Sequence, residues 1–143
     1  MLFCNIDLLD ENFALKRGQY VGVKDGKIAY IGDAVMSLYV REMLLELGYQ
    51  KPNVLQKKSV AWVSAKAQAD FLMKLKEKNF FTEEEWNIIL RGRNTNISSH
   101  AKNASVQTYR LSTGLEALFG YLYLTKQETR LNELWQAIKE IGE

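Results

Sequence analysis

The sequence is poor in the residues that form crosslinks or bind transition metals. Its one cysteine, Cys4, cannot form a disulfide within the chain. Its one histidine, His100, leaves no cluster of cysteine and histidine at zinc-ligand spacing. These absences exclude a disulfide framework and a structural zinc site within one chain, and they favour a cytosolic protein.

Long hydrophobic runs are also absent. The apolar stretches around Ile31 and Leu118 are interrupted by acids and glycines well short of the ~20 residues that span a bilayer. The first residues lack the basic-then-apolar pattern of a signal peptide. We therefore expect neither membrane insertion nor secretion.

Acidic residues are missing from one part of the chain. No Asp or Glu occurs between Trp86 and Leu115, although the net charge of the whole chain is only +2. The same part contains four basic residues, Arg91, Arg93, Lys102 and Arg110, and the single histidine, His100. It therefore provides a local basic patch. Its centre, from Gly92 to Gln107, is polar and long for a connection, which favours a working loop over an ordinary solvated one.

The remaining composition is that of one folded domain. The chain has 143 residues, of which 47% are apolar and 25% charged, and this places it far from disordered or fibrous proteins. A chain of this length is long enough for one hydrophobic core and too short for two ordinary domains. We expect a single domain.

Apolar periodicity and end signals predict five helices. The predicted ranges are 31–47, 59–76, a third helix beginning at Thr82, 110–124 and 128–141. Thr82 with Glu85 three residues later has the form of a capping box, so the acids of this turn are interpreted as capping residues rather than a metal site. The fourth helix contains Gly114 and Gly120, which cost up to ~1 kcal/mol each and predict close packing of another backbone.

The N-terminal part supports two incompatible patterns. Residues 20–24 and 27–31 alternate around Asp25 and Gly26, which is typical of a β-hairpin with a type I′ turn. Residues 28–31 also begin the first predicted helix. One set of residues cannot form both, and we favour the helix from Lys27 onward, with Asp25 near its N-cap.

Two acids interrupt apolar segments. Asp33 lies within residues 29–35, and Glu116 lies within residues 112–122. An ionised carboxylate taken out of water needs a cationic partner or a shifted pKa. Asp33 and Glu116 are therefore the first candidates for chemistry. The alternative is that both acids face solvent at the margins of their helices.

Several short motifs follow one another between Ile28 and the C terminus. They are AYIGDAV at 29–35, KP at 51–52, KKS at 57–59, SAKAQA at 64–69, FTEEE at 81–85, RGRN at 91–94 and YRLSTGLEALFGYL at 109–122. In this order they resemble Mini-ribonuclease III, the compact bacterial branch of the ribonuclease III family. The resemblance covers the chain from about Ile28 onward.

The resemblance implies an all-α endonuclease domain that works as a homodimer, uses Mg²⁺ and cuts double-stranded RNA. It also implies maturation of the 23S ribosomal RNA precursor, and it leaves open a large-subunit ribosomal protein as a further partner. Asp33 matches the catalytic, metal-binding aspartate of the family, and Glu116 matches its metal-binding glutamate. Larger family members carry further acids where this chain has Ala29 and Thr113. Members of the Mini branch also lack both of these acids.

The resemblance also gives the basic segment a function. Duplex RNA is held largely through its backbone and its shape, so basic and amide side chains are suitable contacts. The candidate RNA-binding residues are Lys66, Arg91, Arg93, Asn94, Lys102, Asn103 and Arg110. For Lys66 the alternative is an exposed helix lysine. For the whole chain the alternative is a duplex-RNA-binding or assembly module that has the same fold and no catalysis.

The first 30 residues depart from this family. Their pattern around Asp25 resembles the opening strands of metal-dependent amidohydrolases. Such enzymes need several metal-binding histidines and a barrel, for which this chain is too short. We therefore divide the chain into an atypical N-terminal segment, 1–24, and a ribonuclease III-like catalytic domain, 25–143.

Overall fold

The computed structural model describes residues 25–94 and 105–143, and these residues form six α-helices. The helices are α1 (Asp25–Glu46), α2 (Pro52–Val63), α3 (Ala65–Glu77), α4 (Glu83–Arg93), α5 (Val106–Leu124) and α6 (Glu128–Gly142). No strand occurs in either described range. The all-α prediction is confirmed, and none of these helices has the length and apolar character needed to cross a membrane.

Helix α5 is the centre of the bundle. It packs against α1, α3, α4 and α6, and its most extensive interface is with α1. Its residues from Ser112 to Leu115 and from Ala117 to Leu122 are buried. The other helices contribute fully buried side chains to the same core, among them Met36, Leu72, Ile89, Leu134 and Ile138. A helix surrounded in this way explains why the sequence around Glu116 is so apolar.

At the N terminus of the described region the helix forms and the hairpin does not. Residues 27–31, the second strand of the hairpin pattern, lie inside α1. Ile28 and Ala29 are both buried in the core, so tertiary packing decides between the two patterns. The first strand of the pattern, residues 20–24, lies outside the described residues.

The predicted helix over 59–76 is wrong, because two helices occupy this part of the chain. Ser64 lies between them in an extended conformation, and its Oγ accepts a hydrogen bond from the Ala67 N–H at 3.2 Å. A serine side chain that caps the backbone in this way competes with a continuous helix. Pro52 also begins a helix, in the first-turn position where its missing N–H costs nothing.

The capping box predicted at the start of α4 is present. The Glu85 N–H donates to Thr82 Oγ1 at 3.1 Å, and the Thr82 N–H donates to Glu85 Oε1 at 3.0 Å. Glu85 also accepts two hydrogen bonds from Arg130 of α6, at 2.7 and 2.8 Å, and Arg130 donates to the Phe80 carbonyl at 2.7 Å. Glu85 therefore connects the start of α4 to α6.

Candidate active site

Helices α1 and α5 cross in close contact at two glycines. A Cβ atom added at Gly32 would overlap the backbone carbonyl of Glu116, and one added at Gly120 would overlap the carbonyl of Ile28. The predicted close approach at Gly120 is therefore observed. Because Gly32 directly precedes Asp33, this crossing brings the start of the Asp33 side chain next to the backbone that carries Glu116.

The two predicted acids meet at this crossing. Asp33 is exposed, whereas Glu116 is partly buried. Burial, then the charge of Asp33 and a hydrogen bond that protonated Glu116 donates to it, raise the pKa of Glu116 from 4.5 to about 8. A hydrogen bond from Gln68 opposes this rise but does not outweigh it. Two carboxyl groups at such proximity form a site that favours a cation.

Gln68 of α3 is the third side chain of the site, and it is not among the residues predicted from the sequence. Only 1% of its surface is exposed. Its Nε2 donates to the Val63 carbonyl at 3.0 Å and to Glu116 Oε2 at 3.4 Å. Within the described ranges, Gln68 Oε1 has no hydrogen-bond partner. A buried acceptor without a partner is unusual and requires an explanation such as a bound ion or water.

These residues fit a magnesium ion. No group of three or more His, Cys, Asp or Glu residues that could hold a metal occurs in the described part of the chain. Mg²⁺, however, is commonly bound by one or two carboxylates together with water and substrate phosphates. Asp33 and Glu116 supply the carboxylates, and Gln68 Nε2 donates to Glu116 Oε2 beside them. The donor set is all oxygen, as a hard cation requires.

The two positions where larger family members carry acids do not add charge here. Ala29 is buried, with 4% of its surface exposed. Thr113 is also buried, and its hydroxyl donates to the Tyr109 carbonyl at 3.0 Å within α5. The hydroxyl is therefore used inside its own helix. The site has two acidic side chains among the described residues.

Three of the predicted RNA-binding residues lie at the end of α4. Gly92 is buried against α5, where an added Cβ would lie 2.6 Å from the Cβ of Ala117 and 3.1 Å from the Thr113 carbonyl. Arg91 and Arg93 flank this contact, and Asn94 ends the helix and accepts a hydrogen bond from Arg93 Nε at 3.2 Å. The end of α4 therefore crosses α5 at the turn that carries Glu116.

The remaining candidates have different positions. Lys66 is exposed in the first turn of α3 and lines a surface cavity together with Ser64 and Thr108. Arg110 is partly exposed in α5, nearly two turns before Glu116. Lys102 and Asn103 lie outside the described residues, as does His100.

Comparison with known proteins gives one consistent result. Residues 26–127 match the family described as the ribonuclease III domain. The chain is similar to Mini-ribonuclease 3 of Enterococcus faecalis, with 48% identity across 81% of this chain and 89% of that protein. It is similar to Mini-ribonuclease 3 of Streptococcus pneumoniae, with 49% identity across 75% of this chain and 84% of that protein. A crystal structure of a Fusobacterium nucleatum protein shares the fold, with a TM-score of 0.71 and 31% identity over 79% of this chain and 90% of that one.

Proposed function

The chain belongs to the Mini-ribonuclease 3 branch of the ribonuclease III family and is an endoribonuclease, and we propose that it cuts both strands of double-stranded RNA with Mg²⁺. The observation that carries the proposal is the meeting of Asp33 and Glu116 where α1 crosses α5. We assign both acids as catalytic and metal-binding residues of the catalytic domain, residues 25–143.

The two acids have different environments and therefore different roles. Glu116, partly buried and hydrogen-bonded to Gln68, would hold the cation together with Asp33. Asp33, exposed beside it, accepts a hydrogen bond from the attacking water and orients that water toward the phosphorus atom. Bound Mg²⁺ supplies charge neutralisation at the phosphate and lowers the pKa of water. The close backbone contact at Gly32 holds the backbones that carry the two acids against each other.

The basic end of α4 supports binding of duplex RNA beside these acids. Arg91 and Arg93 flank the contact between Gly92 and the Glu116 turn of α5, so the backbone that carries both arginines lies against this turn. We assign RNA contacts to them and to the other predicted residues: Lys66, Asn94, Lys102, Asn103 and Arg110. Contacts of this kind bind phosphates and grooves rather than particular bases.

A homodimer would place two such sites on the two strands. Helix α1 carries a stripe of exposed side chains, Tyr30, Ala34, Leu38 and Leu45, that spans about 80° of its circumference and also includes Arg41. Tyr30 is 79% exposed, Leu38 54% and Leu45 60%. Exposed apolar patches of this kind commonly mark protein interfaces. A two-fold dimer formed through this stripe would present two equal sites to one duplex and give a staggered cut.

The proposal extends to the biological substrate on the basis of the family resemblance. The proposed substrate is the precursor of the 23S ribosomal RNA. A large-subunit ribosomal protein bound to that precursor is the further partner, and the cytoplasm is the compartment of action.

Cleavage of a long RNA duplex with Mg²⁺ and with EDTA tests the catalytic proposal. We expect staggered cuts only with Mg²⁺, and a loss of at least about a hundredfold in rate for Asp33→Asn and for Glu116→Gln. The matched control is Glu140→Gln, the same change at an exposed position of α6, which should cut like the parent. If the unmodified protein is folded, binds duplex RNA equally well with EDTA and never cuts it, the proposal is contradicted and a binding module is favoured.

A further inference from the structure

The break between α2 and α3 anchors the side chain of Gln68. In an unbroken helix the Ala67 N–H would donate to the Val63 carbonyl, four residues earlier. Here the Ala67 N–H donates to Ser64 Oγ instead, and Gln68 Nε2 donates to the Val63 carbonyl at 3.0 Å. The Gln68 amide is thereby held on one side by the backbone of α2. Its second N–H is directed to Glu116 Oε2, at 3.4 Å.

We propose that Gln68 is a positioning residue for metal binding, which orients the Glu116 carboxylate toward the cation without neutralising it. This inference rests on the proposed function, since it assigns a role within the same site. The residue touches neither substrate nor reacting atoms in this assignment. It acts through Glu116, in the manner of hydrogen-bonding groups that orient the ligands of a metal.

The chemistry of an amide suits this role better than that of a cation or an apolar side chain. A lysine or arginine would form an ion pair with Glu116 and compete with the metal for its charge. A leucine or methionine would leave both the Val63 carbonyl and Glu116 Oε2 without the donor that they now share. A neutral donor that is 1% exposed fixes the carboxylate and leaves its charge available.

The unpaired oxygen of Gln68 supports the same assignment. Oε1 is buried and has no hydrogen-bond partner among the described residues, although Nε2 of the same amide makes two contacts. A glutamine that served only to connect α3 to α2 and α5 would leave this acceptor unsatisfied, at a cost to stability. The amide is therefore retained at this place for its contact with Glu116 Oε2 rather than for stability.

Mn²⁺ titration of the RNA-free protein, followed by the electron paramagnetic resonance signal of free Mn²⁺, tests the inference apart from activity. Gln68→Met keeps the length of the side chain and removes the amide. We expect its dissociation constant for Mn²⁺ to rise at least about tenfold. Gln127→Met is the matched control: it removes an amide that donates to Thr125 Oγ1 at 2.8 Å, away from the acids, and its Mn²⁺ affinity should equal that of the parent.

A second variant keeps the test decisive if Gln68→Met does not fold, as judged by circular dichroism. Gln68→Asn retains a buried amide but is one methylene too short to reach both acceptors, and it should also weaken Mn²⁺ binding. A purely structural role predicts a lower melting temperature in EDTA with unchanged Mn²⁺ affinity, and that result would overturn the inference.

Mn²⁺ binding by the parent and by Glu116→Gln separates the proposal of a metal site from the proposed role of Gln68. Failure of the parent to bind Mn²⁺ would overturn the metal proposal and this inference together. Binding by the parent, loss in Glu116→Gln and full affinity in the folded Gln68 variant would overturn the role of Gln68 alone. In cleavage assays, the half-saturating Mg²⁺ concentration should rise in Gln68→Met while the KM for RNA stays unchanged.

Discussion

Replacement of Glu116 by glutamine is expected to stabilise the metal-free protein while it abolishes cleavage. Burial, the charge of Asp33 and the hydrogen bond to it raise the pKa of Glu116 from 4.5 to about 8 in the folded protein. In the unfolded chain the same carboxyl group titrates near its ordinary value of 4.5. Between these two pKa values the folded protein therefore binds a proton that the unfolded chain does not.

The sign and the size of the effect follow from proton linkage. Because the folded state binds more protons, the free energy of unfolding decreases as pH rises from 4.5 to about 8. The decrease is about 1.4 kcal/mol per pH unit, or roughly 2 to 3 kcal/mol between about pH 5.5 and 7.5. The glutamine side chain has no proton to lose, so the free energy of unfolding of Glu116→Gln should exceed that of the parent by about 2 to 4 kcal/mol near pH 7.5. The two proteins should be nearly equal at pH 4.5, the ordinary pKa of the group.

Urea unfolding in EDTA over this pH range, followed by circular dichroism, measures the difference. The exposed Glu140→Gln variant is the control and should follow the parent at every pH. Mg²⁺ should stabilise the parent near pH 7.5 by about 1.4 kcal/mol at ten times its dissociation constant and should leave Glu116→Gln unchanged. Parallel pH profiles for the parent and Glu116→Gln, or a less stable variant near neutral pH, would refute the reasoning.

Four further predictions concern the crossing, the ion pair, the basic helix end and the apolar stripe. Gly32→Ala should destabilise by more than about 3 kcal/mol in urea unfolding, because its Cβ overlaps the Glu116 backbone, whereas Gly48→Ala, with open space but a φ of 97°, should cost only about 1 kcal/mol. Arg130→Met should cost about 3 to 5 kcal/mol by unpairing Glu85. Burial raises the pKa of Glu85, but hydrogen bonds from Arg130 and the Thr82 backbone outweigh it and lower the pKa below 4.5. The contribution of the ion pair to stability should therefore be lost as pH falls through the pKa of Glu85 in the folded protein, which acid unfolding measures. Arg93→Ala should reduce the slope of log affinity for duplex RNA against log salt concentration by about 1, and an unchanged slope would contradict a phosphate contact. Leu38→Glu should shift the protein from dimer to monomer in sedimentation equilibrium, and a parent that is already monomeric would exclude this interface.

The sequence could predict those helix ends that are fixed by side chains close to them along the chain. The capping box of Thr82 and Glu85 involves residues three apart, so its hydrogen bonds depend little on the rest of the molecule. The break at Ser64 was not predicted, because a serine within a helical pattern either stays in the helix or caps a new one. That choice depends on how α2 and α3 each pack against the core, which no short window of sequence contains.

The acids of the site were predictable for a related reason. A carboxylate within an apolar run signals a need for a partner, and this identified Asp33 and Glu116 before their contact was known. Gln68 gave a weaker signal, since it is neutral. It lies three and four residues before Phe71 and Leu72, so it is on the buried side of α3. Its partner is 48 residues away along the chain, and only the packing of α3 on α5 brings the two side chains together.

The two departures from the larger family members are consistent with the electrostatics of this site. Ala29 and Thr113 are both buried, with 4% and 9% of their surfaces exposed. A further carboxylate at either position would lose its hydration and add a like charge beside Glu116, whose pKa is already raised to about 8. The two remaining carboxylates carry enough charge to balance one divalent cation. The described part of the site has only these two acids, so neutralising either one leaves half of the charge of the cation unbalanced. We therefore expect Asp33→Asn to reduce Mn²⁺ affinity as much as Glu116→Gln does.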